Sequence, residues 1–91
     1  ILFTGVKVEE GAVVVDAVIM GQTIIRSGAV VKHCIVAENV LIESDAVVGA
    51  MPEDGEDGVA TIASNVRIGK GAKIGPKAMV RNQVKDGEEV W

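Results

Sequence analysis

Apolar residues recur at every sixth position along this chain. From Val6 the series runs Val6, Ala12, Val18, Ile24, Val30, Val36, Ile42, Val48. After an interruption it resumes as Ile62, Ile68, Ile74, Val80. Neither a 3.6-residue helix nor a simple hairpin produces this period. Self-similarity at a short fixed period is the mark of a repeat architecture, in which each unit buries its apolar face only against its neighbours.

The repeat can be written as a six-residue frame. Position one is aliphatic: Leu2, Val8, Val14, Ile19, Ile25, Val31, Val36, Ile42, Val48, then Ile62, Ile68, Ile74, Val80. Position four reads Gly5, Gly11, Ala17, Gln22, Gly28, Cys34, Asn39, Asp45, then Asn65, Gly71, Lys77, Gln83. Gly, Asn and Asp tolerate φ > 0 best, so the chain is expected to turn its corners there. Position five is small or branched: among others Val6, Ala12, Val18, Thr23, Ala29, Ile35, Val40, Ala46, Val66, Ala72, Ala78 and Val84. Positions five and one lie two apart on a short strand and so share a face.

This frame contains two five-residue steps, Val14 to Ile19 and Val31 to Val36. A strict six-residue frame would put Arg26, Lys32 and Glu38 in the core, where unpaired charges are costly. The shortened steps are either true deletions or local bulges.

Composition supports strands. There are 17 Val and 9 Ile against 2 Leu, and β-branched residues favour extended backbone. The two aromatics, Phe3 and Trp91, sit at the chain ends, which disfavours a β-sandwich core. One Cys excludes a disulfide framework and a Cys-based zinc cluster. No apolar run is long enough to span a bilayer, and no segment reads as a signal peptide. The expectation is a cytoplasmic domain with no membrane partner.

Each six-residue unit then forms one strand and one corner, and three units close a triangular coil. Coils stack about 4.8 Å apart, and four to five of them fit the chain. The narrow prism leaves room only for Val, Ile and Ala inside. Residues 1–91 read as one β-helix domain. The chain opens on Ile1-Leu2-Phe3 and closes on Val90-Trp91, which reads as a fragment of a longer protein. Segment 50–58, with Pro52, two Gly and four acidic residues, reads as a loop thrown out from one corner. It is either a solvated insertion or a contact to a neighbouring subunit or domain. Its acidic pattern does not match a calcium loop.

Net charge is −4 and unevenly placed. Residues 1–58 hold ten acidic and three basic side chains, whereas 59–91 hold six basic and three acidic. The acidic part argues against nucleic-acid binding. Six-residue spacing places Arg67 and Lys73 on successive sides of the prism. Arg67 and Lys85 have the spacing of about 18 expected for stacking on one face. Arg67, Lys73 and Lys85 are therefore the candidates for an effector or interface site. Trp91 is expected to pack on an exposed coil edge or on a partner domain.

Catalytic candidates are few. His33, the only histidine, could act as a general base on a hydroxyl or amine, but no tryptophan or extended loop is expected near it. Cys34 reads as a small residue at a corner or core edge. Asp16, Glu43 and Asp45 point outward from a prism and diverge, so they form no acid–base pair. The glycines of IGKGAKIG, residues 68–75, are corner residues without the strand–loop–helix context of a phosphate loop. No catalytic residue and no metal site are assigned.

The repeat resembles the left-handed parallel β-helix of hexapeptide proteins, whose handedness is an exception to the usual crossover rule. Such repeats are shared by acyltransferases, sugar nucleotidyltransferases and carbonic anhydrase-like proteins. Residues 1–20, ILFTGVKVEEGAVVVDAVIM, and the following GAVVKHCIVAENVLIESDAVVG are more specific. They resemble the C-terminal β-helix of bacterial glucose-1-phosphate adenylyltransferase (ADP-glucose pyrophosphorylase), either its catalytic or its related regulatory subunit. The resemblance covers residues 1 to about 49 and continues more generically through 62–80. It implies a parent that makes ADP-glucose and pyrophosphate from ATP and glucose 1-phosphate for glycogen synthesis. The magnesium ion and the chemistry would reside in a separate N-terminal domain. It further implies that the β-helix serves oligomer assembly and allosteric control. Its partners would be its own catalytic domain, other subunits and a sugar-phosphate effector. The alternatives are another sugar-phosphate nucleotidyltransferase, such as a mannose-1-phosphate guanylyltransferase, or a hexapeptide acyltransferase.

Overall fold

The computed structural model describes residues 4–50 and 58–91. Their strands follow the short period. In chain order they are β1 (Lys7–Val8), β2 (Val13–Val15), β3 (Val18–Ile19), β4 (Ile24–Ile25), β5 (Val30–Lys32), β6 (Cys34–Val36) and β7 (Leu41–Ile42). Then come β8 (Val47–Val48), β9 (Ala60–Ile62), β10 (Arg67–Ile68), β11 (Lys73–Ile74), β12 (Met79–Val80) and β13 (Glu89–Val90).

Up to β12 every third strand stacks on the one before, β13 stacks on β11, and all pairs are parallel. The first sheet runs β1-β4-β7-β10, the second β2-β5-β8-β11-β13, and the third β3-β6-β9-β12. Three flat sheets around one core make the triangular prism of a left-handed parallel β-helix, as the repeat requires. Among the described residues no helix is long and apolar enough to cross a membrane.

The core consists of the two predicted interior columns. Position-one residues Ile19, Ile25, Val31, Val36, Ile42, Val48, Ile62 and Ile68 are fully buried. Position five supplies Ala29, Val40, Ala46, Val66, Ala72 and Ala78 from the same side of each strand. Arg26, Lys32 and Glu38 stay outside the core, so the shortened steps are real. Val14 pairs with Val31 and Ile19 with Val36, which holds register across both steps. Over the first coils Lys7 pairs with Ile24, Val13 with Val30 and Val18 with Ile35, so one coil takes 17 residues rather than 18.

Three details of the frame are corrected. The residue omitted from each short step lies before the corner, not after it. Asp16 (φ 53°) and His33 (φ 46°) make those corners, while Ala17 and Cys34 are buried and Ile35 is exposed. The strict every-sixth series therefore changes face: Val18, Ile24 and Val30 are half-buried, whereas Val36, Ile42 and Val48 are interior. A third short step lies at Val80 to Val84, because Val84 bridges Ile68 and fills position one.

The acidic insertion leaves between β8 and β9, on the prism edge that carries Asp16 and His33 in the two coils above. Residues 51–57 lie outside the described residues. The root is fixed at Gly49 (φ 74°), where a Cβ would overlap the Lys32 carbonyl oxygen. Only glycine lets the chain leave the coil so close to the one above.

Candidate functional site

The basic residues of the lower coils occupy several positions rather than one stripe. Arg67 lies on the outer face of the first sheet, paired with Leu41 above it. Its Nε donates to Glu43 Oε2 at 3.1 Å and its Nη2 to Asp86 Oδ1 at 3.3 Å. Glu43 on one coil and Asp86 two coils below thus hold the guanidinium between them. The Glu43 hydrogen bond comes first among the causes that raise the Arg67 pKa. Asp86 Oδ1 also accepts the Lys70 backbone N–H at 2.9 Å.

Lys85 does not stack on Arg67. The Gly69 N–H donates to the Val84 carbonyl and the Gly87 N–H to that of Lys70, so Lys85 lies beneath Gly69. The third short step shifts the register by two residues, and the residue beneath Arg67 is Gln83. Lys73 stands on the second sheet, between Val47 above and Glu89 below. The side chains of Lys70, Lys73, Lys77, Arg81 and Lys85 make no ion pair among the described residues.

Where the first sheet begins, one edge carries a row of amides. Asn39 Nδ2 donates to Asn65 Oδ1 at 2.7 Å across adjacent coils. Gln83 Nε2 donates to the Asn65 carbonyl at 3.0 Å, and Gln83 Oε1 accepts the Arg67 N–H at 2.6 Å. The sequence frame placed these residues at a corner but did not show that their side chains pair.

His33 is a half-buried corner residue whose backbone N–H donates to the Val15 carbonyl at 3.0 Å. Its ring Nδ1 is buried with no hydrogen-bond partner. The insertion root Gly49 lies directly below, against the carbonyls of Lys32 and His33. The root of the insertion is therefore next to His33, while residues 51–57 themselves lie outside the described residues. Proximity along the prism edge was hidden because the insertion is one coil away in the chain.

Cys34 is interior, paired with Ala60 in the ladder and 2% exposed. Burial pushes its thiol up to about 12, so the reactive thiolate is suppressed. Glu43 is committed to Arg67, and Asp16 and Asp45 turn different corners of the prism. Among the described residues no three His, Cys, Asp or Glu side chains converge to hold a metal ion.

At the lower end of the prism Val80, Val84 and Val90 floor a depression of about 210 Å³, rimmed by Met79, Arg81 and Glu88. This is smaller than the roughly 300–1,000 Å³ typical of small-molecule sites. Trp91 is 75% exposed, with its ring laid against Gly75.

Parallel six-residue units with aliphatic interior columns decide the family, and residues 1–68 match the family of GlmU-like, C-terminal hexapeptide domains. The chain belongs to this family. The GlmU-like hexapeptide match places the chain among repeat domains of nucleotidyltransferase type. Comparison with curated proteins and with solved structures returned no match.

Proposed function

We propose that this GlmU-like hexapeptide domain is the assembly and regulatory module of a glucose-1-phosphate adenylyltransferase subunit. The observation that carries this reading is the resemblance of residues 1–49 to the C-terminal β-helix of that enzyme. The family match over residues 1–68 supports the nucleotidyltransferase context. In this reading ATP and glucose 1-phosphate react in a separate domain, with magnesium bound there. The β-helix is a rigid prism whose outer faces meet other domains and subunits.

A sugar-phosphate effector would draw on the lower-coil cations. Lys73 and Lys85 are the available pair, because Glu43 and Asp86 already hold Arg67. The test is activation of the full enzyme by sugar phosphates. Lys73→Ala with Lys85→Ala should lower activation while leaving basal ADP-glucose synthesis in place. Unchanged activation in this variant and in Arg67→Ala/Lys85→Ala would discard the effector site. Failure of the full-length protein to form ADP-glucose, alone or with a catalytic subunit, would discard the parent activity.

A second reading is favoured by one observation, the unpartnered His33 Nδ1 beside the root of the insertion. It is the hexapeptide acyltransferase, with His33 as general base. Acyl-CoA binding and loss of acyl transfer in His33→Ala would support it. No acyl-CoA binding would remove it.

A further inference from the structure

The lower end of the prism is covered on two sides and open on the third. Val84 bridges Ile68 beneath the first sheet, and β13 pairs with β11 beneath the second. In the third sheet β12 is the last strand. The depression floored by Val80, Val84 and Val90 lies at this end, with Met79 and Arg81 on its rim. Trp91 does not line it, because its ring lies against Gly75 in the coil above.

The strand above shows which backbone groups β12 turns toward the open side. Thr61 N–H donates to the Ala78 carbonyl at 2.9 Å, and Ala63 N–H to the Val80 carbonyl at 2.8 Å. Met79 pairs with Thr61 in this ladder, so the N–H and carbonyl of Met79 and the N–H of Arg81 take the same downward direction. Among the described residues these three groups have no partner. A strand edge with free N–H and C=O groups is a template for another strand. The depression beside it, about 210 Å³, is too small for a typical small-molecule ligand and suits the interior side chain of such a strand.

The surrounding charges select the sequence that fits. The residues that follow the third-sheet strands are Met20, Ala37, Ala63 and Arg81, so Arg81 is the only charge in its column. It is exposed and makes no ion pair among the described residues. Lys77, at the other end of β12, lies with its stem against Gly58 in the coil above, where the acidic insertion returns. That root is on the opposite edge of the third sheet from Arg81. The lower edge of the second sheet, β13, starts at Glu89 and follows Glu88, whose Oε1 accepts the Lys85 N–H. An acidic segment is therefore repelled from β13 and attracted to the Arg81 end of β12.

We infer that β12 is a docking edge for an extended segment of another polypeptide, added parallel beneath it, with an aliphatic side chain under Val80 and an Asp or Glu next in sequence under Arg81. Backbone hydrogen bonds to Met79 and Arg81 supply the affinity, and the valine floor and the Arg81 guanidinium supply the specificity. Parallel addition continues the ladder, so the residue beneath Val80 faces the interior and the next one faces out. The contact is small and is expected to be weak, with Kd of about 0.1–1 mM. The inference goes beyond the adenylyltransferase reading and does not depend on which reaction the parent catalyses.

The test is a titration of the isotope-labelled chain with the capped peptide acetyl-Thr-Thr-Val-Glu-Thr-amide, followed by NMR of the backbone amides. The expected result is a saturable shift centred on Met79 and Arg81, with slower hydrogen exchange at those two amides. A peptide with Lys in place of Glu should bind about tenfold more weakly, and Arg81→Glu should reverse the preference between the two. A peptide with Asp in place of Val should not bind. Absence of binding overturns the inference and leaves Arg81 as a charge that only protects the edge. Shifts centred elsewhere on the prism overturn it too, as does a preference unchanged in Arg81→Glu. The same shifts on raising the chain concentration without peptide also overturn it, because a second copy then fills the edge. These outcomes leave the adenylyltransferase reading intact, because that reading is judged by activation and ADP-glucose synthesis.

Discussion

The carboxamide of Gln83 accepts the backbone N–H of Arg67 at 2.6 Å, in the place where other coils offer a peptide carbonyl. Ile24 N–H, for example, donates to the Val40 carbonyl, and Leu41 N–H to that of Val66. At the third short step the last coil lacks the residues to continue this pattern. The Gln83 amide substitutes for them and also donates to the Asn65 carbonyl. Gln83→Ala is expected to destabilise the chain by about 1 kcal/mol, since these bonds are solvent-exposed. Gln83→Glu should cost less than Ala, because a carboxylate still accepts the Arg67 N–H and loses only the donation to Asn65. Chemical denaturation of both variants checks the order; a Glu variant as stable as wild type would show that the Asn65 bond contributes nothing.

Among the described residues Thr23 is the one buried polar side chain of the core. Its Oγ1 donates to the Ala37 carbonyl at 2.9 Å and accepts the Val40 N–H at 3.3 Å. Thr23→Val preserves shape but strands both backbone groups away from water. The expected loss is about 1–3 kcal/mol, measured by urea unfolding. Thr23→Ser keeps the hydroxyl and should lose less. The reverse order would mean that the methyl, not the hydroxyl, secures this position.

The architecture was legible because interior columns of a prism admit little except Val, Ile and Ala. Charges at Arg26, Lys32 and Glu38 revealed the two short steps. The corner positions were misjudged by one residue, although Asp16 itself carries the signal, since Asp adopts φ > 0 far more readily than Ala17. The third short step left no such trace. Val84 satisfies an eighteen-residue series as well as the true register, and no charge exposes the difference. The site was less legible for the same reason. Arg67 and Glu43 lie on adjacent coils but are 24 residues apart because the insertion intervenes. The third short step likewise led spacing to pair Arg67 with the wrong residue, Lys85.

Glu9 joins the first two coils through Arg26 Nη1 at 2.9 Å and the Ser27 N–H at 3.1 Å. The Arg26 hydrogen bond, the largest cause, holds its carboxyl below the usual carboxylate range. A carboxylate with a depressed folded-state pKa contributes stability above its unfolded value, and that contribution is lost as pH falls through the folded value. Wild type should therefore melt higher than Glu9→Gln at pH 7. The gap should narrow as pH falls below the usual carboxylate range and through the lower folded value. The effect is small because the pair is exposed. A gap that persists unchanged in acid would place its origin in packing rather than charge.

Cys34 offers the sharpest check on the corrected register. The notional frame put it at a corner, where a thiol would be accessible; the structure puts it in an interior column with Ala17 and Ala60. With its thiol pushed up to about 12 by burial, native Cys34 should resist a thiol reagent at pH 8 and react once the chain is unfolded. Labelling in the native state should be slower than in denaturant by at least about a thousandfold, since it requires opening of the prism. Cys34→Ala, which matches its column neighbours, should cost about 1 kcal/mol, whereas Cys34→Leu should overpack the coil by about 1–3 kcal/mol. Rapid native labelling, together with a well-tolerated Leu, would return Cys34 to the corner and move the short step to the other side of it.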